Sequence, residues 1–284
     1  MVRFFSLFFV CAGALFISVA DADSPASESA ILGQQATVSE RHVVATKLAT
    51  DESPNKPMVA IIIDDIGYQG RLGEAAIGLP GPYALAVMPF APHSRRLASL
   101  ASEANKNVIL HLPMEAYARN HLLGKGAIFS NMAAHEIHST LMAALATLPE
   151  AIGINNHMGS LFTSERDKMD TLMAAIAEHG NLFFVDSKTT QRSAARLAAA
   201  ANGVPAVERH VFLDNDPIRS HIKQQLATLV VRAKQRGHAL AIGHPYPATL
   251  ATLKAWQPDN YGVELVSLRH YVERVKTRTK KTQF

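Results

Sequence analysis

The sequence predicts an α/β fold built on a parallel sheet, and three observations lead there. Apolar runs recur along the chain, most of them about 24–32 residues apart, the length of one strand, one helix and two short loops. Patterns of helical period lie between them. The first run, Val59–Ile63, carries isoleucine on both faces, as a strand covered from both sides requires. Seven or eight such units in series fit a closed barrel or an open doubly wound sheet. No G-x-G-x-x-G opens the first helix, which lowers the dinucleotide-binding reading of the open sheet, and the barrel is favoured.

The strands are read as Val59–Ile63, Tyr83–Met88, Val108–Leu112, Ile152–Asn155, Leu182–Val185, Val207–Leu213, Ala239–Ile242 and a possible eighth at Val263–Val266. Each is a short apolar run bounded by turn residues. Helical patterns cover Ser94–Asn105, His135–Leu148, Ser164–His179, Ala194–Asn202, Arg219–Arg236 and Ala248–Ala255. Ser164 with Asp167 reads as an N-cap pair, and Gly180 and Gly237 suit the positions just past a helix end. The longest gap, between the third and fourth runs, holds Glu115 to Asn131, a glycine-containing insertion expected to overhang the active face.

The 284 residues suffice for one large domain, and 48% hydrophobic with 18% charged residues marks a folded chain rather than a disordered one. A net charge of +4, without basic patches interleaved with aromatics, gives no argument for nucleic acid. Residues 1–22 read as a secretory signal peptide: Arg3, an apolar stretch from Phe4 to Val19, and the cleavage site Ala20-Asp21-Ala22. Residues 23–56 read as a flexible linker, 57–275 as the barrel and 276–284 as a basic tail. Cleavage would leave no stable membrane span and place the protein in the periplasm or outside the cell. It would also remove Cys11, the only cysteine, so disulfides and thiolate metal sites are excluded and any metal must use His, Asp or Glu.

In parallel barrels the active site forms at the C-terminal ends of the strands. Those ends carry Asp64 and Asp65, His111, Asn155-Asn156-His157, Asp186, Asp214 and His244. Aspartates and histidines converging on one rim form a ligand set for a hard or borderline divalent metal such as zinc, with carboxylates left for proton transfer. Adjacent residues in an extended strand point to opposite faces, so Asp64 and Asp65 are expected to diverge.

The stretches Ile62-Ile63-Asp64-Asp65-Ile66-Gly67, His111-Leu112-Pro113-Met114-Glu115, Gly153 to Ser160, Phe184-Val185-Asp186-Ser187 and Gly243-His244-Pro245 resemble the signatures of the divergent polysaccharide deacetylases, a branch of the NodB-like superfamily. The resemblance runs from about Pro57 to about Leu268. It implies a distorted (β/α)7 barrel and a secreted, carbohydrate-linked role. In NodB-like deacetylases one Asp of the pair is the general base and the next binds the metal, with two further ligands from an H-x-x-x-H-type motif. Here Leu112-Pro113-Met114-Glu115 follow His111, so that motif is missing, as is the arginine-bearing motif usual after the fourth strand. The metal set then has to come from separate strands: Asp65, His111 and His157. The resemblance casts Asp64 as base, and His244, oriented by Asp186, is expected to be the acid that protonates the leaving amine.

The leading expectation is a metal-dependent hydrolase that removes N-acetyl groups from envelope polysaccharide, peptidoglycan being the nearest one to a periplasmic protein. Two alternatives stay open. One is a catalytically silent barrel that binds glycan or an envelope protein. The other is a glycoside hydrolase, which would need Asp186 as a second acid. Oligomeric state is not legible.

Overall fold

The computed structural model describes residues 56–281. The expected signal peptide, all of the expected linker but Lys56, and the last three residues lie outside the described residues. The order begins β1 (Met58–Ile66), α1 (Gly70–Ile77), β2 (Ala84–Val87), α2 (Ser94–Glu103), β3 (Val108–Met114), α3 (Ala134–Ala146), β4 (Ala151–Met158) and α4 (Arg166–His179). It continues with β5 (Phe183–Asp186), α5 (Ala195–Ala201), β6 (Ala206–Glu208), β7 (Val211–Phe212), α6 (Arg219–Arg236), β8 (His238–Gly243), α7 (Pro247–Ala255), β9 (Glu264–Leu265) and α8 (Leu268–Lys281).

All strand pairs are parallel, in the order β6-β5-β4-β3-β2-β1-β8-β7, with β9 beside the first residues of β1. This is a curled, incompletely closed α/β barrel, the distorted barrel that the resemblance implies. The sixth apolar run departs from its reading as one strand. Arg209 and His210 split it into β6 and β7, which lie at opposite ends of the strand order. The chain itself therefore spans the seam of the barrel. Its two crossing residues are tied by main-chain bonds from Arg209 N–H to Asp186 O (2.9 Å) and from His210 N–H to Leu240 O (2.8 Å).

The two-residue period of each strand divides the core into two layers. Met58, Ala60 and Ile62 of β1, Ile109 of β3, Val185 of β5, Val207 of β6 and Leu240 and Ile242 of β8 pack together inside the barrel. Leu268, Tyr271 and Val272 of α8 join the same cluster. The alternate residues Val59, Ile61, Ile63, Leu110, Ile154 and Phe184 face the helices. Continuing the inner series one step past each strand's apolar part reaches Asp64, His111, Ser187, Arg209 and His244, so the pleat carries the core's inner face directly into the rim.

Two helices were not legible. In α1, Gly73 breaks helical propensity, but a Cβ there would meet Leu97 Cδ1 of α2 at 2.4 Å; the glycine permits close helix packing. The expected basic tail begins within α8, which continues to Lys281. The N-cap pair at Ser164 is also corrected: Ser164 closes a 3-10 turn and its hydroxyl donates to Leu161 O (2.7 Å), while α4 starts after Glu165. Gly180 and Gly237 end α4 and α6 with φ of 77° and 78°, as read. The insertion leaves the C-terminal end of β3 and returns beside it, where Glu115 N–H donates to Ile128 O and Ile128 N–H to Pro113 O.

Candidate active site

The rim departs from regular strand geometry where the chemistry gathers. Asp65 adopts φ 58°, and the pairing of β1 with β2 shifts register between Ile63 and Ile66. The left-handed residue cancels the strand's alternation, so the expected divergence of the two acids does not occur. Both carboxylates reach His111: Asp65 Oδ1 lies 3.2 Å and Asp64 Oδ2 3.6 Å from its Nε2. Aspartate tolerates this conformation better than most residues, at a cost of about 1–2 kcal/mol. Phe90, Met158 and Lys188, at the same ends of β2, β4 and β5, also have positive φ.

Asp65, His111 and His157 form one compact donor group. Asp65 Oδ1 is 3.0 Å from His157 Nδ1, and the two histidine nitrogens are 3.2 Å apart. Three donors bonded at about 2.0–2.1 Å to one ion stand about 3.0–3.4 Å from each other, so the spacing fits a divalent metal. The hydrogen bonds fit as well. Asn155 Nδ2–H donates to Asp64 Oδ1 (2.8 Å), so its carbonyl oxygen must accept from His111 Nδ1 (2.7 Å). That fixes the proton of a neutral His111 on Nδ1 and turns the bare Nε2 toward Asp65 Oδ1, a buried oxygen with no hydrogen-bond partner. Two lone pairs facing each other repel unless a cation lies between them.

The electrostatics point the same way. Burial opposes charge on His111, but Asp64 and Asp65 outweigh it and push the imidazole above its ordinary pKa. Burial would likewise raise Asp65, yet the two imidazoles reverse this and hold its carboxyl well below the usual carboxylate range. Asp64, more deeply buried, is pushed up despite His111 and His244. The site stabilises positive charge at its centre, whether as protons or as a metal ion.

His244 stands at the end of β8, its Nε2 3.8 Å from Asp65 Oδ2. The orienting acid is Asp214, and the assignment of that role to Asp186 is corrected. Asp214 Oδ1 lies 2.9 Å from His244 Nδ1, and its Oδ2 accepts from the His244 backbone N–H (2.6 Å) and the Thr249 hydroxyl (2.7 Å). A Cβ at Gly243 would stand 3.2 Å from that Oδ2, so glycine lets the carboxylate in. Burial lowers the His244 pKa, but Asp214, Asp64 and Asp65 overcome it and lift it to about 9. Asp186 follows Val185, which faces the interior, and therefore takes the opposite face. Its Oδ1 accepts from Lys188 N–H (2.8 Å), and burial raises its pKa against the pull of Ser193 and Lys188.

A cleft of about 200 Å³ opens over the group, lined by Asp64, His111, His157, Arg209, Phe212 and His244 among others, but not by Asp186. The glycoside hydrolase reading thereby loses its second acid. Glu115, from the insertion, is spent on Ser130, whose N–H and hydroxyl it accepts. Reading strand ends found the donor group but missed Asn155 as the link between His111 and Asp64; His111 and Asn155 are register partners on β3 and β4. It also left Asp214 undecided, although the alternation from Phe212 would have placed it on the cleft side.

Residues 61–272 match the family model described as divergent polysaccharide deacetylase. An uncharacterized protein of Escherichia coli, YibQ, is 37% identical over 196 residues, which is 69% of this chain and 61% of that protein, so the chain spans about three fifths of that relative. An uncharacterized protein of Haemophilus influenzae is 34% identical over 213 residues, 75% of each chain. The crystal structure of an uncharacterized protein from Agrobacterium tumefaciens shares the fold, with a TM-score of 0.72 at 21% identity over 76% of this chain and 89% of that one.

Proposed function

The chain belongs to the divergent polysaccharide deacetylase family, and on that premise we propose that it is a metal-dependent hydrolase that removes N-acetyl groups from an envelope polysaccharide. The observation that carries the proposal is the compact set of Asp65 Oδ1, His111 Nε2 and His157 Nδ1, flanked by a carboxylate on one side and a carboxylate-backed imidazole on the other. The third ligand comes from β4, which makes good the missing H-x-x-x-H motif.

Asp65, His111 and His157 would hold a divalent ion, zinc being the one their chemistry favours, and when bound it would supply Lewis-acid polarisation of an acetamide carbonyl and of a water molecule. Asp64 takes the proton as that water attacks the carbonyl carbon. Asn155 keeps the carboxylate aimed by its bond to Oδ1. The tetrahedral oxyanion then collapses with cleavage of the C–N bond, and His244 gives the departing nitrogen its proton. Asp214 holds the ring in place before and after that transfer through its contact with Nδ1. Water and acetamide are converted to acetate and a free amine. Peptidoglycan as the substrate and the periplasm as the location follow from the signal-like residues 1–22 and belong to this proposal. No helix among the described residues is long and apolar enough to cross a membrane.

The test is elemental analysis of the purified protein together with acetate release from N-acetylated glycan. The native protein retains a divalent ion, Asp65→Asn and His157→Ala lose it, and Asp64→Asn keeps it while acetate release falls by about 10²–10⁴-fold. Retained metal with no acetate from any N-acetylated glycan would replace the hydrolase by the binding barrel.

A further inference from the structure

Arg209 shares the cleft with the donor group, yet the proton transfers above make no use of it. It occupies the inner face at the seam between β6 and β7, where its backbone N–H is bonded to Asp186 O. Its guanidinium is fixed in plane. Nε donates to Ser187 O (2.6 Å), Nη2 to Lys188 O (2.9 Å), and Cζ lies 4.8 Å from the centre of the Phe212 ring.

Those two bonds use two of five N–H groups. Both hydrogens on Nη1 and one on Nη2 have no protein acceptor among the described residues. None of the ion pairs among those residues includes Arg209. Asp64 and Asp186 lie near enough to favour its charge, but neither makes a contact ion pair with it, and Glu208 pairs with Lys188 at 3.3 Å. A half-buried cation without a contact anion is costly. A planar fork held rigid with unused donors is suited to a carboxylate, which it meets with two parallel bonds. The small cleft also holds Asp64 close by, and a single negative charge is repelled there less than a phosphate dianion.

Resting on the deacetylase reading, we propose that Arg209 receives a carboxylate carried by the substrate. The site then takes an N-acetyl sugar bearing an acidic substituent in preference to a neutral one. Arg209 is a specificity-determining residue in this scheme. It binds the ground state and moves no proton.

The experiment is calorimetric titration of the full chain, loaded with its divalent ion, with two N-acetylated oligosaccharides. One carries an ether-linked carboxylate on the N-acetyl sugar, and the other is its methyl ester. The native protein binds the acid about tenfold to a hundredfold more tightly than the ester. Arg209→Gln brings the ratio to about one, and Arg209→Lys recovers part of it. Equal binding of the two compounds by the native protein, or binding of neither, overturns the inference and needs no variant. An unchanged ratio in folded Arg209→Gln overturns it too, as does a ratio unchanged while product acetate inhibits Arg209→Gln less. Acetate release from the same pair separates the two claims. Preference for the acid without acetate release removes the hydrolase and keeps Arg209, whereas equal release from acid and ester keeps the hydrolase and removes Arg209.

Discussion

At the C-terminal ends of its strands the barrel gathers Asp64, three histidines and an arginine around one small cleft, with left-handed residues at Asp65, Met158 and Lys188. At the N-terminal ends the same inner faces meet α8, whose Leu268, Tyr271 and Val272 pack under Met58, Ala60 and Leu240. The polar groups there are few and paired: the Tyr271 hydroxyl lies 2.9 Å from His238 Nδ1, and Leu240 N–H donates to His210 Nδ1 at 3.1 Å. The floor gains stability from apolar burial and neutral hydrogen bonds. The rim spends stability on desolvated charge and backbone strain. One parallel sheet serves both ends because its pleat alternates faces without regard to what the side chains cost.

Asp64→Asn breaks the comparison most sharply. It removes a buried charge while keeping the shape and an acceptor for Asn155. Alongside the loss of acetate release described above, the metal-free variant should melt at or above the native temperature. A fall of several degrees would show that the rim contributes to stability after all. Tyr271→Ala is the mirror experiment. Truncating a fully buried aromatic costs about 3–5 kcal/mol in urea unfolding, yet metal affinity, measured where the variant is folded, should stay within about twofold of native. Coupled loss of affinity would mean that the two ends are not independent.

Asn155→Ala probes the boundary between them. It releases the His111 tautomer and leaves Asp64 Oδ1 without its donor. Metal affinity should fall about 10–100-fold, read by competition with a chelating dye, with acetate release falling at least as far. The melting temperature should move less than for Tyr271→Ala. An effect on stability alone would reassign Asn155 to packing.

What could be read without coordinates follows the same division. The inner face of the sheet was legible because β-branched runs and turn residues encode it locally, and Val59–Ile63 runs into Asp64 by the pleat alone. The donor residues were legible because strand ends in a parallel barrel share one rim. The meeting of Asp64 with Asp65 was not, since it depends on one left-handed residue and a one-place register shift in β1. Nor was the division of Val207–Leu213 into two strands on opposite edges, although Glu208-Arg209-His210 interrupts the run with three polar residues. Choosing between Asp186 and Asp214 for His244 needed the face of each strand. Counting by twos from Val185 and Phe212 would have supplied it. The α8 helix shows the spacing Leu268, Tyr271, Val272 and Val275, a helical stripe obscured by the basic residues beyond it.

The smallest effect expected concerns His210, which seals the seam below the cleft. Burial is the main cause of its pKa falling to about 4, with His238, Arg236 and Arg232 reinforcing and Glu208 opposing. Its Nδ1 accepts the Leu240 N–H, a bond that protonation there would end. The folded state thus binds a proton at His210 less readily than the unfolded chain, whose histidine titrates near 6.5. Its contribution is present above that value and is lost as pH falls from about 6.5 toward 4. The ring is only half-buried, so solvent screening reduces the loss to about 1–2 kcal/mol. Urea unfolding at pH 7 and pH 4.5 should show native protein losing more stability than His210→Gln, whose amide oxygen still accepts from Leu240 but does not titrate. Carboxylates elsewhere change both proteins alike, so the difference of differences isolates the seam. Equal losses would place the acid sensitivity among the charges of the rim.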